Sequence, residues 1–273
     1  WFKKTKKREK VILASKVCGP MREYVRGGGN QFGTKNITEA LNNSLKRLKT
    51  DYIDLYQLHW PERKTNTFGK RGYVHDKKEI WKENFEEVLY NLNSFIKDGK
   101  IRHIGLSNEN PWGIMKFINA SSNNLPKMIT VQNPYSLLNR IFEIGNSEIC
   151  MRESLGLLAY SPLGFGLLTG KYRKNNFPNG SRLKLFPNLA RYSNSKCFEA
   201  TELYYQLSKK YNLTLTQLSL AFVNDRPFVT SNIIGATNLT QLKENIDSIN
   251  INLNSALVNE INKIQKLIPN PAP

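Results

Sequence analysis

Lys16 and His59 are the two residues placed to do chemistry. The lysine closes the apolar run Val11-Ile12-Leu13-Ala14-Ser15, and the histidine closes Tyr56-Gln57-Leu58. A lysine that points inward from the end of a buried strand is rare unless paired. A surface lysine that snorkels would account for the same position. A lone histidine is ordinarily a satisfied structural residue. Together, at the ends of neighbouring runs, the two can meet in one pocket as an ammonium and an imidazole. Other short runs also end on hydrogen-bonding groups, at Ser107-Asn108, Gln132-Asn133, Tyr160-Ser161 and Gly235 to Thr237. His75, in a basic stretch, and His103, inside a run, have no comparable partners.

The elements that must position these groups can be read from periodicity. Short runs at 11–17, 52–59, 101–108, 128–135, 157–161 and 232–236 have the length of strands. They lack alternation, as strands covered on both faces do. Between them lie helical stripes. One carries Ile37, Ala40, Leu41, Ser44, Leu45 and Leu48, and a second carries Phe85, Val88, Leu89, Leu92 and Ile96. A third carries Leu203, Leu207 and Tyr211, and a terminal one carries Leu253, Leu257, Ile261 and Ile264.

Strand followed by helix, repeated, means a parallel sheet with right-handed crossovers. Polar residues at successive strand ends favour a (β/α)8 TIM barrel, whose strand C-termini converge on one mouth. An open doubly wound sheet uses mainly one switch point, and no G-x-G-x-x-G follows a strand here. The stretch Gly27-Gly28-Gly29 reads as a βα loop. Only six strand runs are found, the first near Val11. The expectation is therefore one α/β barrel domain over residues 1–273, with about the first two strands and the first helix absent from this chain. Two long polar segments, 61–78 and 171–196, follow strand ends and should overhang the mouth.

Composition narrows the class. With 273 residues and 40% hydrophobic residues there is ample material for a core. The most apolar stretch, 155–170, is broken by Tyr160, Ser161, Pro162 and glycines, and is too short to span a bilayer. The chain opens on Trp1-Phe2 and a Lys/Arg run, without Met or an apolar leader, and so reads as part of a longer chain. Cys18, Cys150 and Cys197 are far apart and odd in number. That argues against a disulfide framework or a metal site, and for reduced thiols in the cytoplasm. The net charge is +18. The cations are spread along the chain, without interleaved aromatics on one element, and the run Lys3 to Lys10 reads as an exposed helix end. A solvated basic surface, with a few charges kept for a phosphorylated cofactor, is preferred to a nucleic-acid partner.

Several segments, in this order, resemble the aldo-keto reductase superfamily. They are Ala14-Ser15-Lys16-Val17, Asp51 through Pro61 (DYIDLYQLHWP), Gly99 through Asn108 (GKIRHIGLSN), Gln132 through Ser136 (QNPYS), Tyr160 through Tyr172 (YSPLGFGLLTGKY), and Ile234-Gly235-Ala236-Thr237. Within the superfamily the likeness is greatest to the bacterial Tas-type reductases, on Asn133 through Arg140 (NPYSLLNR) and Pro271-Ala272-Pro273. Potassium-channel β subunits are more distant relatives.

The resemblance implies hydride transfer from NADPH to an aldehyde or ketone, with a small-molecule carbonyl as partner and no membrane. The family uses an Asp–Tyr–Lys–His tetrad. Lys16 and His59 match its last two members, while the Asp and Tyr fall upstream of Trp1 and match nothing in this chain. Residues 1–273 alone are accordingly expected to be inactive. An ammonium at Lys16 would lower the pKa of the acid Tyr, which is about 10 when unperturbed. His59 would orient the carbonyl as a neutral donor, and Trp60 would wall the substrate.

The resemblance also distributes the NADP(H) contacts. Ser107, Asn108 and Gln132 match the residues that hold the nicotinamide carboxamide, and Tyr160 the ring that stacks on the nicotinamide. Ser161, Leu163, Gly164, Gly166 and Leu168 match the loop along the pyrophosphate. Lys171 and Arg182 match cations of a clasp loop. Gly235, Thr237, Gln241, Glu244 and Asn245 match the helix start that takes the 2′-phosphate and adenine. Many family members carry Arg where this chain has Gln241, which shifts the preference for NADP(H) onto Arg182 and Lys171. A different function, that of an NADP(H)-binding non-catalytic regulatory subunit like the channel β subunits, would use the same residues.

Overall fold

A computed structural model describes residues 1–121, 124–187 and 190–273. The chain divides into two compact units, one of residues 1–67 with 72–132, the other of residues 68–71 with 133–273.

The first unit holds four parallel strands in chain order: β1 (Ala14–Val17), β2 (Ile53–Leu58), β3 (Ile101–Ser107) and β4 (Met128–Gln132). All six residues of β2 are buried, including Asp54 and Gln57. This is how a strand covered on both faces should look. Helices Thr34–Leu48, Phe85–Lys97 and Pro111–Ala120 fill the connections. The first buries Ile37, Ala40, Leu41 and Ser44, one stripe at helical spacing, and ends at Lys49 in the left-handed region (φ 54°). The second has Glu86 and Glu87 in its first turn and Lys97 in its last, charges that match the helix dipole. Its Phe85 packs edge-on against Phe117 of the third helix, with ring centroids 4.7 Å apart.

The second unit holds β5 (Gly156–Ala159) and β6 (Val229–Asn232), paired in parallel with Leu157 opposite Val229. Helices Ser195–Lys210, Leu215–Asn224, Leu239–Asp247 and Ser255–Leu267 surround them. Their starts are chemically marked. Asn194, Asn238 and Asn254 each accept a backbone N–H through the side chain, and Thr214 with Gln217 forms a capping box. The core stacks Tyr135 on Phe222, with centroids 5.8 Å apart. The C-terminal tail is tied in by Ala272 N–H, which donates to Leu138 O at 3.0 Å.

The strand expected at 232–236 lies earlier in the chain. The ladder ends where Ile233 N–H donates to Ala159 O at 2.8 Å, and residues 234–237 beyond it are loop. Apolar side chains at Ile233 and Ile234 imitate a strand, but hydrogen-bond pairing sets the boundary. The stripe of the Ser195–Lys210 helix is also displaced. Cys197, Ala200, Tyr204 and Leu207 face inward, whereas Leu203 and Tyr211 are only partly covered. Among the described residues, no helix is long and apolar enough to cross a membrane.

Candidate functional site

In the first unit, Lys16 and His59 stand at the C-terminal ends of adjacent strands. Lys16 pairs in register with Gln57, and His59 N–H donates to Val17 O at 3.1 Å. Both side chains are half-buried, and neither makes a hydrogen bond or ion pair among the described residues. Burial therefore acts on both without compensation. It pulls the Lys16 ammonium below its ordinary range. His59 is pulled down to about 4, first by burial and then by the positive charges of Lys16 and Arg22. The imidazole is thus neutral at ordinary pH and keeps one N–H to donate.

Trp60 is buried beside it, with ring centroids 4.5 Å apart, and its indole N–H donates to Pro20 O at 3.0 Å. Ser107 and Asn108, at the end of β3, are buried and interlocked. Ser107 Oγ donates to Gln132 O at 2.9 Å, and Asn108 Nδ2 donates to Ser107 Oγ at 3.1 Å and to His59 O at 2.9 Å. The Asn108 backbone is left-handed (φ 54°), a conformation Asn tolerates better than most residues. The clamp thus fixes the backbone of His59 from the neighbouring strand. The half-buried Gln132 side-chain amide has no bond among the described residues, which leaves a donor and an acceptor for a planar amide.

In the second unit, Tyr160 joins the strand ends. Its N–H donates to Asn133 O at 3.1 Å, and its carbonyl accepts from Tyr135 N–H at 3.2 Å. Burial raises its pKa, and a hydrogen bond with the Arg191 side chain opposes the rise. Ser161 is left-handed (φ 56°) and bonds the Tyr192 hydroxyl. The next residues form a tight run of turns. Gly164 N–H donates to Ser161 O at 2.9 Å, and Gly166 N–H and Leu168 N–H donate to Leu163 O at 2.8 and 3.2 Å. Gly166 has φ +96°, and a Cβ there would come 2.8 Å from Lys171 Cε. The positive φ favours glycine there, since the end of the Lys171 side chain could move aside but the backbone conformation could not.

Lys171 and Arg182 make no ion pair among the described residues. The first lies over the Tyr172 ring, and the second lies over the Phe165 ring at 4.6 Å. Thr237 and Gln241 are tied together, since Thr237 N–H and Oγ1 both donate to Gln241 Oε1 at 3.0 Å. Gln241 N–H is capped by Asn238 Oδ1 at 2.9 Å, so the first-turn N–H groups of Leu239 and Thr240 are the ones left at that helix start. Glu244 accepts from Thr214 Oγ1 at 2.6 Å, and Asn245 Nδ2 donates to Gly235 O at 3.3 Å.

Lys16, His59, Trp60, Ser107, Asn108, Gln132, Tyr160 and Ser161 lie at or just beyond strand ends, Leu163 through Arg182 lie in the long segment after β5, and Gly235 through Asn245 lie in the loop and helix after β6. Arg22 and Arg191 escaped the motif reading. Arg22 had one signal, a cation six positions after Lys16 in the loop that follows its strand. Nothing in the sequence ties Arg191 to Tyr160.

The model of the aldo/keto reductase family matches residues 1–266. The chain is 44% identical to Protein tas of Escherichia coli, over all of this chain and 80% of that protein. It is 39% identical to an aldo-keto reductase of Babesia bovis, over 93% of this chain and 95% of that protein. With the uncharacterized oxidoreductase YrpG of Bacillus subtilis the identity is 32%, over 97% of this chain and 75% of that protein.

Proposed function

The chain belongs to the aldo/keto reductase family, and from that premise we propose that it reduces an aldehyde or ketone with NADPH, using Lys16 and His59. The observation that carries this reading is the pair of half-buried basic groups on adjacent strand ends, without hydrogen-bond or ion-pair partners among the described residues, with His59 neutral at ordinary pH. A bound nicotinamide would supply the hydride for the carbonyl carbon.

The protein's own residues handle the oxygen. As the carbonyl oxygen gains negative charge, a His59 N–H interacts more strongly with it than with the ground state, and the Lys16 ammonium would lower the pKa of the acid Tyr that protonates it. Such differential stabilisation is what lowers a barrier. Trp60 supplies an apolar wall that limits water. The proton donor, a Tyr in the family's tetrad, is not assigned to a residue of this chain.

The residues present fit a phosphorylated nicotinamide cofactor. In the first unit, Ser107, Asn108 and Gln132 would hold the carboxamide, through the unengaged Gln132 amide above all. In the second, Tyr160 would stack on the nicotinamide, and the turns from Ser161 through Leu163, Gly164, Gly166 and Leu168 would follow the pyrophosphate. Lys171 and Arg182, cations without carboxylate partners, suit a 2′-phosphate. The helix start at Gly235, Thr237 and Gln241, with Glu244 and Asn245, would receive the adenosine end. A cytoplasmic setting accords with the three free thiols.

Cofactor binding tests the reading. Arg182→Ala should weaken NADPH about tenfold or more, the loss of a charge-assisted hydrogen bond, and leave NADH nearly unchanged by fluorescence titration. Equal losses for both cofactors would remove Arg182 from the site.

A further inference from the structure

In the first unit, the chain that leaves β2 through His59 is at once held in two directions. Glu62 reaches one way. Its carboxylate accepts from Gln31 N–H at 2.6 Å, Phe32 N–H at 2.8 Å and Asn84 Nδ2 at 2.9 Å. Arg63 reaches the other way, to the segment that follows β3. Its Nη1 and Nη2 donate to the two oxygens of Glu109 at 3.0 and 2.6 Å. The two side chains are only 9% and 4% exposed, so this is a buried, bidentate ion pair.

The surroundings are shaped to the pair. Gly113, in the first turn of helix Pro111–Ala120, is buried against it. A Cβ there would sit 2.5 Å from the Glu109 carboxyl carbon and 2.6 Å from Arg63 Nη2, so a side chain would have to push the pair aside. The Arg63 guanidinium lies over the Trp112 ring at 4.8 Å, and Asn110 N–H donates to Glu109 Oε1 at 2.7 Å. Asn110 Nδ2 also donates to Thr65 Oγ1 at 3.0 Å and to Asn66 O at 2.9 Å. The start of one connection is thereby sewn to the start of the next.

These contacts lead back to His59. Glu109 follows Asn108, and Asn108 Nδ2 donates to His59 O at 2.9 Å. The run His59-Trp60-Pro61-Glu62-Arg63 thus returns to its own start through Glu109 and Asn108. Two apolar residues of matching shape would often fill the volume of the pair at lower cost than two ions taken out of water. They would not supply direction, whereas a bidentate pair fixes both a distance and a plane. Direction matters beside a group that must meet a reacting atom within a fraction of an ångström.

We propose that Arg63 and Glu109 are positioning residues for His59, and that their ion pair, acting through Asn108, fixes where the imidazole stands relative to the carbonyl oxygen. The proposal rests on the reductase reading above, in which His59 donates to that oxygen. It adds to that reading a pair that acts only through its neighbours.

The test uses the full-length protein and two readouts. One is kcat for the reduction of benzaldehyde by NADPH. The other is the imidazole NMR midpoint of His59, which needs no turnover. Arg63→Lys keeps the charge and loses the paired N–H donors. Arg63→Met combined with Glu109→Gln removes both charges, so that neither ion is left buried alone. Both variants should lower kcat by about tenfold to 100-fold, the scale of a misplaced catalytic group, with KM changed less. Both should raise the His59 midpoint from about 4 toward the ordinary value of about 6.5, because a loosened strand end admits water. Asp54→Asn is the comparison, since it breaks the ion cluster that Asp54 makes with Arg8 and Arg102 in the same unit. It should lower stability and leave both readouts at the wild-type values. A folded pair variant whose kcat or His59 midpoint stays at wild type would show that the pair serves only the fold, and overturns the proposal. If the wild type reduces no aldehyde, that failure falls on the reductase reading and the midpoint alone decides. A rise in the pair variants but not in Asp54→Asn supports the positioning role, and an unmoved midpoint overturns it.

Discussion

The two ends of the parallel sheet in the first unit treat buried charge in opposite ways. At the N-terminal end Asp54, nearly fully buried, is surrounded by donors. Arg8 and Arg102 each reach it at 2.8 Å and Leu13 N–H at 2.9 Å. Both guanidiniums also lie over the Tyr52 ring, at 3.9 and 4.2 Å from its centroid. Burial alone would raise the Asp54 pKa, but the Leu13 N–H and the two arginines outweigh it and hold the carboxyl below its usual range. At the C-terminal end Lys16 and His59 are half-buried, and nothing among the described residues pairs with either. Among the described residues an ion is fully satisfied at one end of β2, and two basic groups have no partner at the other. The first arrangement holds the sheet together. The second leaves both groups open to a partner from outside these residues.

The largest effect should come from breaking the satisfied end. Asp54→Asn leaves Arg8 partly buried without its charge partner, and should cost about 3 kcal/mol of unfolding free energy in denaturant titration. The sign with pH follows from the depressed carboxyl. Its contribution is complete above the unfolded carboxylate value of about 4 and is lost as pH falls through the folded value. The acid destabilisation of the wild type below that point should therefore be smaller in Asp54→Asn. A variant as stable as the wild type would mean that the ion cluster contributes nothing.

The unsatisfied end should show itself first in titration. His59 should titrate in the folded protein with a midpoint near 4 by imidazole NMR. In the unfolded chain an ordinary histidine takes its proton near 6.5. The histidine therefore favours folding fully above about 6.5, and that contribution declines as pH falls toward 4. A measured midpoint of 6.5 or above would mean that His59 is solvated or paired. The smallest effect should be that of Lys16→Met on stability, a change of about 1 kcal/mol or less and toward greater stability, since an unpaired desolvated charge is removed. A loss as large as that of Asp54→Asn would erase the contrast between the two ends.

The sequence revealed the candidate site more fully than it revealed the charges around it. Lys16, His59, Ser107, Asn108 and Tyr160 were legible because apolar runs ending on polar residues mark strand ends directly. Arg8 was misread with the run Lys3 to Lys10 as solvated surface. Its partners, Asp54 and the Tyr52 carbonyl, lie more than forty positions away, and local composition carries no trace of such pairing. Arg22 was passed over for a related reason, because its place beside His59 depends on the Trp60 anchor. The last strand was displaced because apolar character alone does not set where a ladder ends. Helix starts at Asn194, Asn238 and Asn254 were within reach of a capping rule, since Asn is a favoured cap wherever a helix begins.

The account rests on Lys16 assisting the acid of the reaction rather than serving the fold or the cofactor. Steady-state reduction of an aromatic aldehyde by NADPH, measured for the full-length wild type and its Lys16→Met variant alongside NADPH affinity by fluorescence, tests this most directly. The predicted result is a fall in kcat of about 100-fold or more, the scale of a lost proton-transfer or electrostatic contribution, with NADPH affinity and thermal stability close to the wild type. Turnover by Lys16→Met at the wild-type rate would contradict it.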